Sequence, residues 1–272
     1  MLRHEVNQAI FGLDSVTQGG TREISRERVT ERMALMGSPE PAPSPRSNLL
    51  LAALSTEERE RVTPLLRMVR LRHGQAIYHL GEPIRFVYFP LTVVFSLVGA
   101  LSDGRSAEIG IIGNEGMIGL PALFGASFTE FQLIVQIPGT ALSMPISALG
   151  SGARGAGSLD ALLLQYSQTF FNQAAHGLIC NRHHTVAQRL ATWLLMIRDR
   201  IETDRLPLTQ ESLGYMLGAG RPSVTLTEGT FAERGLVRNS RGAVTIINRE
   251  GLEAAACECY SLMRDEYRRL MQ

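Results

Sequence analysis

Residues 209–231 carry the densest signal for chemistry in the chain. Thr209 stands where a helix needs a cap, with Ser212 at the third helical position in place of the usual Glu. Leu213, Met216 and Leu217 point to one side, and Gly218 permits the left-handed turn that stops a helix. Pro222 then falls in the first turn of a second helix, where its missing N–H is not needed. Val224, with Leu226 or Thr227, locks the second helix to the first. Such a pair presents the N-terminal half of its second helix to the DNA major groove. Beyond it, Gly235 to Ile247 reads as strand, turn, strand, which makes a wing. Residues 205–249 hold six arginines (205, 221, 234, 238, 241, 249) against three acids (211, 228, 233). That local balance of +3, in a chain of net charge +1, suits a surface that faces phosphates. All 27 basic residues are arginine, so every phosphate contact would be a guanidinium.

Other chemistry is sparse. His176, Cys180, His183 and His184 form a local nitrogen and sulfur cluster at helical spacing, of a kind that can hold a metal. They are read instead as interface and cap residues. Cys180, Cys257 and Cys259 are too few and too clustered for a disulfide framework. They also fall short of the four thiolates an iron–sulfur cluster normally takes. Haem through His73 or His79 has no support, and neither histidine has the His-x-His partner of a cupin-like metal enzyme. No P-loop and no nucleophile elbow appears. No catalytic residue, metal or cofactor is therefore expected. A cupin-like enzyme and a protein-binding adaptor are the rival classes. The adaptor would leave Arg221 and the arginine-bearing wing without a role.

The elements that position this segment follow from patterning. Residues 1–46 form an extension, disordered or weakly helical, ending in the Pro-rich run Ser38 to Pro45. Translation from Met33 or Met36 is an alternative start. Residues 47–66 read as helical, with Ser55 and Glu58 in a capping box. From 68 to 147, short β-rich runs alternate with glycine turns: Ala76–Tyr78, Phe86–Phe89, Val93–Val98, Ala107–Ile112, Leu133–Ile137 and Ala141–Met144. Such a series makes a sandwich or roll. Residues 150–157, rich in Gly, Ser and Ala, mark a hinge. A long helix follows over 158–181, with Leu159, Leu162, Leu163, Tyr166, Phe170, Ala174 and Gly177 along one side. That wide stripe suits a second copy of itself, or packing on its own domain. A further helix carries Val186, Leu190, Trp193, Leu194 and Ile197, and a final one runs from about Glu250 to Leu270. The longest apolar stretch, Val93 to Leu101, is about half the roughly 20 residues a membrane helix needs. The N-terminus lacks the apolar core of a signal peptide. A protein of the cytoplasm is expected.

In this order the motifs point to a family. The stretch from about 48 to 250 resembles the Crp/Fnr transcription regulators. The first half carries it through His73-Gly74-Gln75, Gly81-Glu82-Pro83, Gly104-Arg105, Gly113 and Gly116-Met117-Ile118-Gly119. The second half carries it through Thr209, Leu213-Gly214, Gly218, Arg221 and Val224. The resemblance implies an α+β chain. A jelly-roll-type β-roll sensor over 47–157 leads to a dimerisation helix over 158–181. A winged helix-turn-helix with its C-terminal helix fills 182–272. It places DNA contacts on Thr209, Gln210, Gly220, Arg221, Pro222, Ser223 and Thr225, and on Arg241 and Thr245 of the wing. Arg221 would read a guanine, since its fork matches O6 and N7. Pro222 stands where the family often has a glutamate, and Leu226 where one member has a second arginine, so the operator should differ.

The same resemblance places an effector pocket at Gly116, Gly119, Leu120, Phe131 and Gln132. A buried phosphate needs a cation opposite it. Here Leu120 stands where the family's ribose-binding glutamate belongs, Phe131 falls near the phosphate-binding arginine, and no arginine occurs between 105 and 154. Weak or no cyclic-nucleotide binding is expected. Leu120, Leu123, Phe124, Phe128 and Phe131 either line a pocket for another effector or fill the roll. The expected partners are double-stranded DNA, a second copy of the chain, RNA polymerase and an unknown small-molecule effector, with no membrane.

Overall fold

The computed structural model describes residues 47–103, 105–148 and 158–271. The expected N-terminal extension and the Gly/Ser/Ala-rich hinge lie outside them. Residues 47–66 are helical as expected, in two short helices, α1 (Leu49–Ala53) and α2 (Thr56–Val62), with a 3-10 turn after them. Ser55 and Glu58 make the expected capping box on α2. Glu58 also accepts from the Leu159 N–H at 3.3 Å, so it holds the start of the long helix as well.

The roll is two antiparallel sheets. β1 (Arg67–Leu71), β7 (Gly139–Pro145) and β3 (Phe86–Pro90) form one, in that order. β2 (Ala76–Tyr78), β6 (Gln132–Ile137), β4 (Val94–Ala100) and β5 (Ser106–Ile112) form the other. Short helices α3 (Leu120–Leu123) and α4 (Ile146–Ala148) complete it. β1 was not expected as a strand. It is an edge strand with mostly exposed side chains, so its Arg-Met-Val-Arg-Leu shows no clean alternation. All six strand-like runs seen in the sequence are strands.

α5 (Ser158–His183) has 26 residues, about 39 Å of helix. Of the two partners that the stripe suits, it takes the chain's own roll. Leu159, Leu162, Leu163 and Tyr166 are buried there with Val87, Phe89, Met117 and Leu142. Tyr166 donates its hydroxyl to the Met117 carbonyl at 3.3 Å. A β-carbon on Gly116 would lie 2.2 Å from that hydroxyl, so the roll needs glycine there to admit the ring. What α5 leaves exposed is Leu164, Phe171 and Leu178, seven residues apart, with Ile179 beside the last. Gln168 and Ala175 occupy the positions between them. The larger stripe goes to the roll because it matches more buried apolar surface.

The C-terminal part begins with α6 (Val186–Ile201), whose Thr185–Gln188 capping box restarts the chain after α5. β8 (Arg205–Leu206), α7 (Gln210–Leu217), α8 (Arg221–Glu233), β9 (Val237–Ser240) and β10 (Ala243–Ile246) follow. The expected last helix is two, α9 (Arg249–Ala255) and α10 (Glu258–Leu270). They break because Cys257 is extended, with φ −87° and ψ 166°. Its N–H goes to the Thr192 hydroxyl at 3.3 Å instead of continuing the helix ladder.

The roll and the C-terminal part share a core: Val94, Ile111 and Ile137 pack in one cluster with Leu190, Trp193, Leu194, Leu213 and Phe231. A buried polar knot crosses the same seam. Arg200 donates to Glu115 at 2.9 Å, to the Gln173 side chain at 2.9 Å and to the Met196 carbonyl at 2.8 Å. Its guanidinium lies 5.5 Å over the Tyr267 ring. Roll, α5, α6 and α10 therefore meet at one buried ion pair. No helix among the described residues is long and apolar enough to cross a membrane.

Candidate nucleic-acid interface

α7 and α8 form the helix-turn-helix, with the chemistry expected of each end. Thr209 accepts from the Ser212 N–H at 3.1 Å, and Ser212 accepts from the Thr209 N–H at 3.1 Å. Gly218 ends α7 at φ +55°. Gly220 caps α8 with no side chain, its carbonyl accepting from Ser223 and Val224, and Pro222 sits in the first turn. Val224, Glu228 and Phe231 are buried at four- and three-residue spacing. That stripe turns Arg221, Pro222, Ser223, Thr225 and Leu226 outward.

The outward face is not a bare row of polar groups. Arg221 is paired with Glu211 of α7, both exposed. The supporting carboxylate, absent at position 222, thus comes from the preceding helix. Thr225 donates to the Gln210 side chain at 3.4 Å. Leu226 is 74% exposed, the most exposed large apolar side chain described in the chain. Beneath them Glu228 is buried, and burial raises its carboxyl above the ordinary value. The Thr227 and Thr230 hydroxyls bond back to the Ser223 and Leu226 carbonyls, at 2.8 Å and 3.0 Å.

The wing is a three-stranded sheet in the order β8-β10-β9. Arg241 and Gly242 make its turn, with Gly242 at φ +73°. Thr245 is paired in register with Arg205 on one side and Arg238 on the other. Partners across antiparallel strands share a face, so Thr245 lies in a row between two exposed guanidinium groups. Sequence reasoning counted those arginines without placing them, because register is not visible in one strand at a time. Arg249 does not join them. It is held by Asp199 at 2.9 Å and Glu253 at 2.8 Å, with Tyr260 accepting at 3.0 Å. Leu226, offered with Thr227 as a lock between the two helices, faces outward instead, and Glu211 is a face residue the sequence did not point to. For Leu226 the signal was there, since it falls off the 224, 228, 231 stripe. For Glu211 there was none, because ten residues and a turn separate it from Arg221.

Of the five residues expected at an effector pocket, four pack inside the roll and Phe131 faces outward. Gly116 admits Tyr166, and Gly119, at φ +103°, sits against Val87. Leu120 and Leu123 join the core under α5. Gln132 is buried, while Phe124, Phe128 and Phe131 are exposed at 63%, 57% and 40%. The apolar set therefore divides between filling the roll and facing outward. A cavity of about 310 Å³ in the roll is lined by Tyr78, Glu82, Arg85, Phe86 and Tyr88, none of them among the expected pocket residues. A larger one, about 740 Å³, lies beside the buried ion pair, between the roll, α6 and α10. Of the nitrogen and sulfur cluster near the end of α5, Cys180 and His184 come together with Cys257 and Cys259. His176 and His183 are not in that group.

The comparisons with known proteins agree with this geometry. Residues 68–151 match the cyclic nucleotide-binding domain, and residues 188–255 match the Crp-like helix-turn-helix domain. The chain is a DNA-binding regulator of the Crp/Fnr type. A curated relative is the CRP-like cAMP-activated global transcriptional regulator of Mycobacterium tuberculosis, 26% identical over 204 residues, covering 72% of this chain and 90% of that one. Among solved structures, FixK2 from Bradyrhizobium japonicum superposes with a TM-score of 0.61 at 19% identity, over 71% of this chain and 98% of that one. A putative Crp/Fnr-family regulator from Eubacterium rectale gives 0.56 at 18% identity, over 76% and 96%. These two show the shared fold: roll, long helix and winged reader in the same order.

Proposed function

We propose that this Crp/Fnr-type regulator binds a roughly palindromic operator as a homodimer in the cytoplasm, acts on RNA polymerase, and has no catalytic activity. The reading is carried by the exposed side of α8, where a supported arginine stands five residues, about one and a half turns, before an exposed leucine. Arg221 reads a guanine through O6 and N7, at about 1–3 kcal/mol of discrimination. Leu226 with Pro222 offers an apolar patch suited to a thymine methyl. Thr209, Gln210, Gly220, Ser223 and Thr225 border the groove. Arg241 and Thr245, with Arg205 and Arg238, face phosphates.

The seam Leu164, Phe171, Leu178 is the dimer contact. Its seven-residue repeat is the spacing at which two helices supercoil, and nothing among the described residues covers it. Two readers joined this way sit one DNA turn apart. The effector is not a cyclic nucleotide: by the resemblance, Leu120 and Phe131 stand where its ribose and phosphate would need a glutamate and an arginine. An effector of other chemistry acts by biasing two arrangements of reader against roll.

Selection from a random duplex library, with wild type and Arg221→Ala, tests the reading. A two-fold symmetric consensus whose guanines relax in the variant supports it. No enrichment at low salt, with or without cell extract, removes the DNA-reading assignment and favours the adaptor. Calorimetry with cAMP and cGMP tests the effector statement, and low-micromolar binding would overturn it.

A further inference from the structure

Cys180, His184, Cys257 and Cys259 converge where α5, α6 and α10 meet, and their four ligand atoms all lie within 4.8 Å of one another. Cys180 comes from the end of α5, and His184 from the link to α6. Cys257 caps α10, and Cys259 lies in its first turn. The Sγ atoms of Cys180 and Cys257 are 3.5 Å apart, and Cys259 Sγ is 3.7 Å from His184 Nδ1. With metal–sulfur bonds of about 2.3 Å, the corners of a tetrahedral site are about 3.5–3.8 Å apart. An iron–sulfur cluster places sulfide and more than one iron between its thiolates and needs a wider cage. The three cysteines are buried.

The surroundings fit ligation as well. His184 turns its other nitrogen, Nε2, to the Glu258 carboxylate at 3.4 Å. A carboxylate on the far nitrogen holds the proton there and leaves Nδ1 free to bind. Thr192 accepts the Cys257 N–H at 3.3 Å and lies 3.1 Å from Cys257 Sγ. All four ligands fall outside both matched domains, which cover 68–151 and 188–255.

We propose that Cys180, His184, Cys257 and Cys259 form a closed Cys3His site for one Zn2+ per chain, which fastens α10 to the junction of α5 and α6. On binding, the three thiol protons leave to solvent. Three Zn–S bonds and one Zn–N bond form, no electron is transferred, and the site carries charge −1. With four protein ligands and no open position, its role is structural.

The test uses the full chain, reduced and metal-free, titrated with Co2+ and then with Zn2+. The expected result is a thiolate-to-cobalt charge-transfer band and intense tetrahedral d–d bands, saturating at one Co2+ per chain and bleached by Zn2+. Cys257→Ser should abolish the charge-transfer signal. Glu258→Gln, an exposed change that leaves the ligands intact, should weaken Zn2+ roughly 10- to 100-fold in competition with a chelator dye. An octahedral spectrum, absence of binding, or binding unchanged in Cys257→Ser would overturn the site. A Cys180–Cys257 disulfide in the chain as isolated, with no metal taken up after reduction, would overturn it too. The readout is metal, not DNA, so it stands or fails separately from the operator assignment.

Discussion

Arg221 and Glu211 meet on the surface proposed to face DNA, and their pairing sets two opposite demands. An exposed pair of this kind is worth little to folding, about 0–1 kcal/mol. Its carboxylate, however, repels phosphates. Glu211→Ala should therefore strengthen binding to random duplex while narrowing the gap between operator and random sequence, measured by competition at fixed salt. Arg241→Ala on the wing should weaken all sequences alike and lower the slope of log affinity against log salt by about 1. A third prediction concerns Glu108 on β5. Burial raises its carboxyl to about 7, against hydrogen bonds from Ser96 and Trp193 and the nearby Arg200 charge that oppose the rise. A folded value above the unfolded one, near 4.5, means the folded state binds more protons in that window. Stability should fall as pH rises from about 4.5 to about 7. The melting temperature of wild type should drop across that range by roughly a few degrees, and Glu108→Gln should flatten the curve. None of this was legible in the sequence, because Glu108 gains its partner Trp193 only when α6 docks on the roll, 85 residues away.

Among the elements, those with local signals were readable. Thr209 and Ser212, Gly218 and Pro222 are contacts within a turn or two, so the helix-turn-helix could be read from residue types alone. α5 was legible as a helix but not in its orientation. It is apolar on two sides, and a wheel cannot say which side the roll will take. The final helix looked continuous because Ala256 and Cys257 do not break helices; the tertiary bond to Thr192 does. The exposed seam of α5 carries its own prediction. Leu164→Glu with Phe171→Glu, at positions 63% and 66% exposed, should leave the fold intact. The pair should give a monomer by sedimentation equilibrium. Loss of the second reader should cost roughly 100-fold in affinity for a two-fold site, the scale of linked binding. A folded dimer in this variant would place the contact elsewhere.

At the scale of the whole molecule, the roll and the reader are joined by a shared core and by the Arg200–Glu115 pair, each partner 7% exposed, so a second arrangement of the reader has to give up part of both. Arg200→Met strands a buried carboxylate and should cost about 3–5 kcal/mol. Calorimetry should then show unfolding at a lower temperature, with the shared core still coupling the two parts. Arg200→Met with Glu115→Leu, which removes both charges, should recover much of the loss. The exposed stripe of α5 has a consequence in the cell. Gln168 and Ala175 interrupt its three large side chains, so the proposed pairing of copies is modest in strength. Occupancy of an operator would then rise steeply with copy number where dimers are scarce. Gene dosage becomes an input to this regulator, alongside any molecule that enters the roll.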